Sequence, residues 1–112
     1  MNIYDKINEL ARELKNTEEV VTYKKISSKV NENPTTKSMV DDIRKKQMEV
    51  YTLKLQGKEP SADQIEAFNK LYAVAGINPD VREYFEAEMR FSKLWEDILK
   101  TLGEAVDIKF PG

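Results

Sequence analysis

The side chains that most often perform enzyme chemistry are absent from this sequence or stand apart from one another. It contains no histidine and no cysteine, which excludes the commonest general base, Ser-His and Cys-His nucleophiles, and thiolate metal sites. Its glycines stand at positions 57, 76, 103 and 112, so no glycine-rich phosphate-binding loop is present. The 20 Asp and Glu residues are the remaining candidates for acid–base or metal chemistry.

These carboxylates are interleaved with lysine and arginine at helical spacing, as in Glu86 and Arg90 or Asp41 and Lys45. Opposite charges four residues apart form solvated pairs worth about 0.2–0.5 kcal/mol, so the pattern is typical of an exposed helix face. We therefore expect no catalytic residue, no cofactor, no metal and no small-molecule substrate. An enzyme using paired carboxylates and a metal would instead require two or more acids that converge in a cleft.

Glu88 is the one acid that falls inside an apolar pattern, between Phe85 and Ser92. An unpaired charge at a buried position would be costly. Two interpretations are open. Glu88 is either a partner-contact residue, paired with Arg82 or Arg90 of a neighbouring chain, or it stands at the edge of the apolar stripe and reaches solvent.

A cluster of basic residues could contact phosphates. It consists of Lys24, Lys25, Lys29, Arg44, Lys45 and Lys46. Acidic residues are interspersed with it, no aromatic residues alternate with the basic ones, and the net charge of the sequence is −2. These features favour a solvated face, and nucleic acid is not expected as a partner. An RNA-contacting accessory protein that uses this cluster is the alternative function.

The last long segment, from Asn78 to Asp107, is the element against which the others are expected to pack. Asn78 can accept hydrogen bonds from the free amides of a helix start, and Pro79 is favoured at the first helical position. Asp80 and Glu83 place negative charge in the first turn, where the helix dipole favours it. The pattern predicts a helix of about 28 residues, roughly 42 Å long.

The apolar residues of this helix fall on two neighbouring faces. One stripe consists of Val81, Phe85, Glu88, Ser92, Trp95, Leu99, Leu102 and Val106. The other consists of Tyr84, Ala87, Phe91, Leu94, Ile98 and Ala105. A surface helix needs only one such stripe, so this helix should be covered on more than one side. Because a compact chain of this length is only about 35 Å across, we expect an elongated protein and a second copy that covers the excess.

The preceding sequence predicts four more helices, at about residues 2–15, 18–32, 34–56 and 61–75. Asn33 and Pro34 repeat the Asn-Pro start signal, and Ser61 with Gln64 fits a capping box. Gly57 is a candidate for the left-handed residue that ends the third helix. The first helix carries Ile3, Ile7, Leu10 and Leu14 on one face.

The third helix resembles the fifth in having two apolar stripes. One consists of Met39, Val40, Ile43, Val50 and Leu53, and the other of Met48, Tyr51 and Leu55. Since two stripes again indicate burial from two sides, we expect the third and fifth helices to form contacts between chains. The candidate oligomer or partner interface consists of Met48, Tyr51, Leu55, Tyr84, Glu88, Phe91, Trp95 and Ile98.

Aromatic residues near the start and middle of the fifth helix allow a second interpretation. Tyr84, Phe85, Phe91 and Trp95 could line a ligand pocket. Aromatic residues at helical spacing more often pack in a core, and we favour that interpretation.

These elements predict an all-α fold: an elongated antiparallel bundle of about five helices with a long third and fifth, in a single domain of residues 1–112. No stretch approaches ~18 consecutive apolar residues, so we expect no membrane span. The N-terminal residues lack the apolar core of a secretory signal, and we expect a cytoplasmic protein. Ile108 and Phe110 are expected to pack onto a groove.

The segment from Glu86 to Ser92, EAEMRFS, followed by Leu94, Asp97 and Ile98, resembles the C-terminal signature of the YlbF/YmcA/YheA family of small bacterial helical proteins. An N-terminal NIYD, a central Lys/Gln-rich helix and the GKEP turn at residues 57–60 agree with it, so the resemblance extends over essentially the whole chain. The sequence is more similar to the YheA-type branch.

The resemblance implies an all-α protein that self-associates, lies in the cytoplasm and has no catalytic activity. The resemblance further implies a regulatory role like that of YlbF- and YmcA-type members. Those proteins regulate competence, biofilm formation and sporulation in complexes with other proteins, through RNA processing by a membrane-anchored endoribonuclease. Some family members have cysteines tied to an iron–sulfur cluster, and that cofactor is not expected here because cysteine is absent. The matching positions Glu86, Glu88, Arg90 and Phe91 are therefore candidates for structure or partner contact only.

Overall fold

The computed structural model describes residues 2–109, which form five α-helices and no strand. The helices are α1 (Ile3–Lys15), α2 (Glu18–Glu32), α3 (Pro34–Leu55), α4 (Ala62–Gly76) and α5 (Pro79–Val106). The all-α prediction is confirmed, and α3 with 22 residues and α5 with 28 are the long helices. The expected contact of Phe110 lies outside the described residues, and Ile108 is 64% exposed rather than packed.

The helix ends follow the capping residues of the sequence. The Asn33 side chain accepts hydrogen bonds from the amides of Thr35 and Thr36 at the start of α3. Ser61 and Gln64 exchange side-chain and backbone hydrogen bonds of 2.8 and 3.1 Å, which completes the predicted capping box of α4. These bonds satisfy amides that have no partner within their own helix.

Gly57 ends α3 in the way the sequence predicts. Its φ of 73° is left-handed, a conformation that costs glycine little because it lacks a Cβ. The Gly57 amide donates to the Lys54 carbonyl and the Lys58 amide donates to the Leu53 carbonyl, at 3.0 and 2.9 Å. This pair of bonds is the Schellman motif, and it turns the chain toward α4.

The described residues form two compact units, with a boundary that passes through α2 and α5. The first unit contains the chain up to Lys25 and from Glu86 onward, and the second contains Ile26–Phe85. α3 packs against α4 in the second unit. Its buried residues are Ile26, Val30, Thr36, Val40, Ile43, Ala75 and Val81.

Asn78 joins two helices of this second unit. Its side-chain oxygen accepts from the Asp80 amide at 3.0 Å, as expected for the residue that precedes α5. Its amide nitrogen donates to the buried Thr36 hydroxyl at 3.3 Å and contacts the Met39 sulfur at 3.8 Å. The residue that starts α5 therefore also holds it against α3.

The first unit has little buried apolar surface within the described residues. Ala87 on α5 is buried there, whereas no residue of α1 is buried. Ile3, Ile7 and Leu10 occupy one face of α1, as predicted, but that face is exposed. None of the helices described combines the length and the apolar character required to cross a membrane.

Candidate interaction surface

Tyr23 of α2 links two of the predicted interface residues in the first unit. Its hydroxyl donates a 3.0 Å hydrogen bond to Oε2 of Glu88 on α5. Its ring lies 5.7 Å from the ring of Phe91, which in turn stacks at 6.1 Å on Trp95. Aromatic pairs at such distances add about 0.5–1.5 kcal/mol each beyond their burial, so this cluster fixes α2 on α5.

The hydrogen bond from Tyr23 gives Glu88 a partner within its own chain that the sequence did not reveal. Glu88 is half-buried, and its carboxylate accepts a hydrogen bond from its own chain, which offsets part of the cost of desolvation. The interpretation of Glu88 as a simple solvated stripe edge is therefore incomplete. Its pairing with Arg82 or Arg90 of a second copy stays a prediction.

A second cluster lies in the other unit, around Arg44 of α3. The Arg44 guanidinium donates to the Tyr84 hydroxyl and lies 5.2 Å from the Tyr84 ring centre and 5.8 Å from that of Phe85. The two rings meet edge to face at 5.3 Å. Arg44 thus acts as a cation packed on aromatic faces, and Tyr84 is half-buried within its own chain.

The remaining basic residues of the predicted phosphate-binding cluster divide into two groups. Lys29 lies 3.0 Å from Asp80, and this hydrogen bond raises the pKa of Lys29 above its usual value. Lys46 lies 3.3 Å from Glu49. Lys24, Lys25 and Lys45 are exposed. Half of the cluster is therefore engaged by groups of the same chain, and contact with RNA stays a prediction.

The C-terminal half of α5 exposes a continuous row of apolar side chains, which we call the α5 seam. It consists of Trp95, Leu99, Leu102 and Val106. Trp95 is 44% exposed and the other three are each 53% exposed. Ile98, on the neighbouring face, is half-buried. Neither Trp95 nor Ile98 is thus sealed inside a single chain.

The α3–α4 hairpin exposes a second apolar surface, which we call the hairpin face. On α3 it contains Met48, Tyr51 and Leu55, which are 62%, 57% and 70% exposed. On α4 it contains Ile65 and Tyr72, each about half exposed. A groove of about 290 Å³ runs between the two helices. It is lined by Gln47, Val50, Tyr51, Lys54, Pro60, Ile65 and Phe68.

A third exposed apolar row lies on α1 and was not among the predicted interface residues. We call it the α1 seam, and it consists of the exposed Ile3, Ile7 and Leu10 and the half-buried Leu14. The first three are 70%, 51% and 41% exposed. The signal that could have identified it is its spacing, which repeats the intervals of the α5 seam.

The acidic side chains of residues 2–109 include no group of three or more placed to hold a metal ion. Glu18 and Glu19 line a small cleft in the first unit together with Thr22, Ala87 and Arg90. The cleft therefore contains the cationic side chain of Arg90 beside the acidic side chains of Glu18 and Glu19.

Comparison with known proteins gives one family. Residues 3–107 match the sequence model described as control of competence regulator ComK, YlbF/YmcA. The chain is 42% identical to the UPF0342 protein of Clostridium novyi over 98% of its own length and 96% of the relative's. It is 43% identical to a Clostridium tetani UPF0342 protein, with 96% and 93% covered, and 38% identical to one from Symbiobacterium thermophilum, with 97% of each covered.

Proposed function

Since this chain belongs to the YlbF/YmcA family, we propose that it is a non-enzymatic helical adaptor that self-associates and binds other regulatory proteins through its exposed helix faces. The family description names control of a competence regulator, a role that protein contacts can perform without catalysis. We also propose that the chain acts within RNA-processing complexes.

The observation that supports it is the amount of large apolar surface left uncovered. Soluble monomers rarely expose a continuous apolar patch larger than about 300–600 Å². Five large residues of the hairpin face are about half exposed or more. At on the order of 100 Å² for each half-exposed large side chain, these five expose on the order of 500 Å² in all, divided between α3 and α4. Such surface favours association with other helices.

The hairpin face is the part of this surface that best fits a partner protein. Its groove is apolar along its floor, and Gln47 and Lys54 stand among its lining residues. An amphipathic helix can place anchors at i, i+3 and i+7 into a groove of this kind. Tyr51 of α3 and Ile65 of α4, which line the groove and are each about half exposed, would be its main apolar contacts.

The self-association is tested by light scattering over a dilution series of the purified chain. We expect a dimer or larger oligomer at micromolar concentration. A single monomeric species across that range would contradict the proposal, because the exposed surfaces would then have no copy to cover them.

The partner-binding role is tested by capture from native lysate with the wild-type chain and with Tyr51→Ser/Ile65→Ser, whose positions both line the groove. We expect a specific protein to be captured by the wild type and lost with the double variant. A matched control is Glu59→Ser/Asn69→Ser, whose exposed polar positions lie outside the groove. Equal capture by all three chains would contradict the assignment of the hairpin face.

A further inference from the structure

We propose that the partner of the α1 seam is the α5 seam of a second copy, and that the two copies exchange this contact reciprocally. The inference rests on the self-association in the proposed function and names the surface that produces it. It adds α1, which has no buried residue in the single chain, to the interface.

The two seams match in spacing and in length. The α1 seam has intervals of four, three and four residues from Ile3 to Leu14, and the α5 seam has the same intervals from Trp95 to Val106. Each covers 11 residue steps, or about 16 Å of helix at ~1.5 Å per step. This is the spacing by which side chains of one helix pack into the holes of another.

Apart from Leu14, which is half-buried, neither seam is covered by its own chain. Trp95 and three aliphatic residues of α5 are about half exposed, and Ile3, Ile7 and Leu10 are 70%, 51% and 41% exposed. α1 has 13 residues, and isolated helices shorter than about 12–15 residues are marginal in water. An amphipathic helix of this length is stabilised mainly by burial of its apolar face, so α1 requires a partner surface.

The area of the two seams agrees with what a stable dimer requires. Seven side chains are about half exposed, and at on the order of 100 Å² each they provide about 700 Å² per copy. A standard interface takes about 800 Å² from each partner. In a two-fold dimer each copy contributes both seams, so the contact forms twice and closes without leaving a seam free.

Cross-linking tests the pairing directly, because the chain has no cysteine of its own. Single-cysteine variants Leu10→Cys and either Leu99→Cys or Leu102→Cys are mixed as copies of different mass and oxidised. All three are inner positions of the seams. In the proposed pairing, Leu10 faces Leu102 if the two helices are parallel and Leu99 if they are antiparallel. Because each copy carries one cysteine, a bond within a chain cannot form.

We expect a disulfide-linked mixed dimer with at least one of the two pairs. The matched control pairs Asn8→Cys with Lys100→Cys, two exposed positions on the same helices that point away from the seams. Mixed dimer at the seam positions no greater than in the control would overturn the inference.

Light scattering of seam variants separates this inference from the proposed function. Leu10→Asp and Leu99→Asp place an unpaired charge in the contact, and we expect the dimer dissociation constant to rise at least tenfold. Asn8→Asp and Lys100→Glu should leave it unchanged. Circular dichroism checks that the rest of the chain stays helical, since α1, with 13 residues, is the one helix expected to lose helicity when its partner surface dissociates.

Each outcome decides a different point. A wild-type dimer that the seam variants do not weaken would refute the seam pairing and leave the self-associating adaptor standing. A wild-type monomer would refute both.

Discussion

The hydroxyl of Tyr23 donates a 3.0 Å hydrogen bond to the carboxylate of Glu88, 65 residues away in the sequence. The bond joins α2 to α5, and the Tyr23 ring also packs on Phe91. An acid in an apolar stripe is tolerable here because a donor from the same chain reaches it. Glu88 is thus part of the contact that holds the two helices together.

Replacement of Tyr23 by phenylalanine should lower the free energy of unfolding by about 1 kcal/mol. The ring contact with Phe91 is retained while the hydrogen bond to a half-buried carboxylate is lost, and bonds of this kind contribute about 1–3 kcal/mol. Urea unfolding measures the change. Tyr72→Phe is the control, since Tyr72 is exposed and should change stability by less than about 0.5 kcal/mol. Equal effects of the two substitutions would show that the Tyr23 bond contributes little.

Replacement of two glycines by alanine should change the stability of the protein in opposite directions. Gly103 lies within α5 with open space around its Cα, so Gly103→Ala should raise stability by about 1 kcal/mol. Gly57 has a φ of 73°, and Gly57→Ala should lower stability by about 1–2 kcal/mol because a Cβ is strained there. Thermal unfolding of both variants checks the prediction. A stabilising Gly57→Ala would contradict the Schellman geometry at the end of α3.

The two Asn-Pro helix starts should differ in how much they stabilise the protein. Asn33→Ala removes a cap and should cost about 1 kcal/mol. Asn78→Ala removes a cap and also the hydrogen bond to the buried Thr36 hydroxyl, so it should cost about 2 kcal/mol. Chemical denaturation of both variants under the same conditions gives the difference. A smaller loss for Asn78→Ala than for Asn33→Ala would contradict the role of Asn78 between α3 and α5.

The small core of the second unit should be sensitive to truncation. Ile43 is 1% exposed, and Ile43→Ala should lower the free energy of unfolding by about 2–5 kcal/mol. Val81 is also 1% exposed, and Val81→Ala should lower the free energy of unfolding somewhat less because valine is smaller than isoleucine. Met89→Ala is the matched control, since Met89 is 72% exposed and should change little. Calorimetry at one protein concentration keeps self-association constant across the series.

The sequence was sufficient to predict the helices, because their limits depend on local interactions. Asn33, Ser61 and Gly57 each act through hydrogen bonds or backbone angles within a few residues of themselves. Helical periodicity likewise identified the apolar stripes, including Val40 and Ile43, which are buried. These features need no knowledge of what lies on the other side of the helix.

Coverage of the apolar faces was decided only by the tertiary structure. The same spacing that buries Val81 near the start of α5 leaves Leu99 and Leu102 half exposed further along. The bond from Tyr23 to Glu88 and the packing of Arg44 on Tyr84 could not be inferred either, since each joins residues 40 or more positions apart. Periodicity states which face of a helix is apolar, whereas burial depends on which other helix reaches that face.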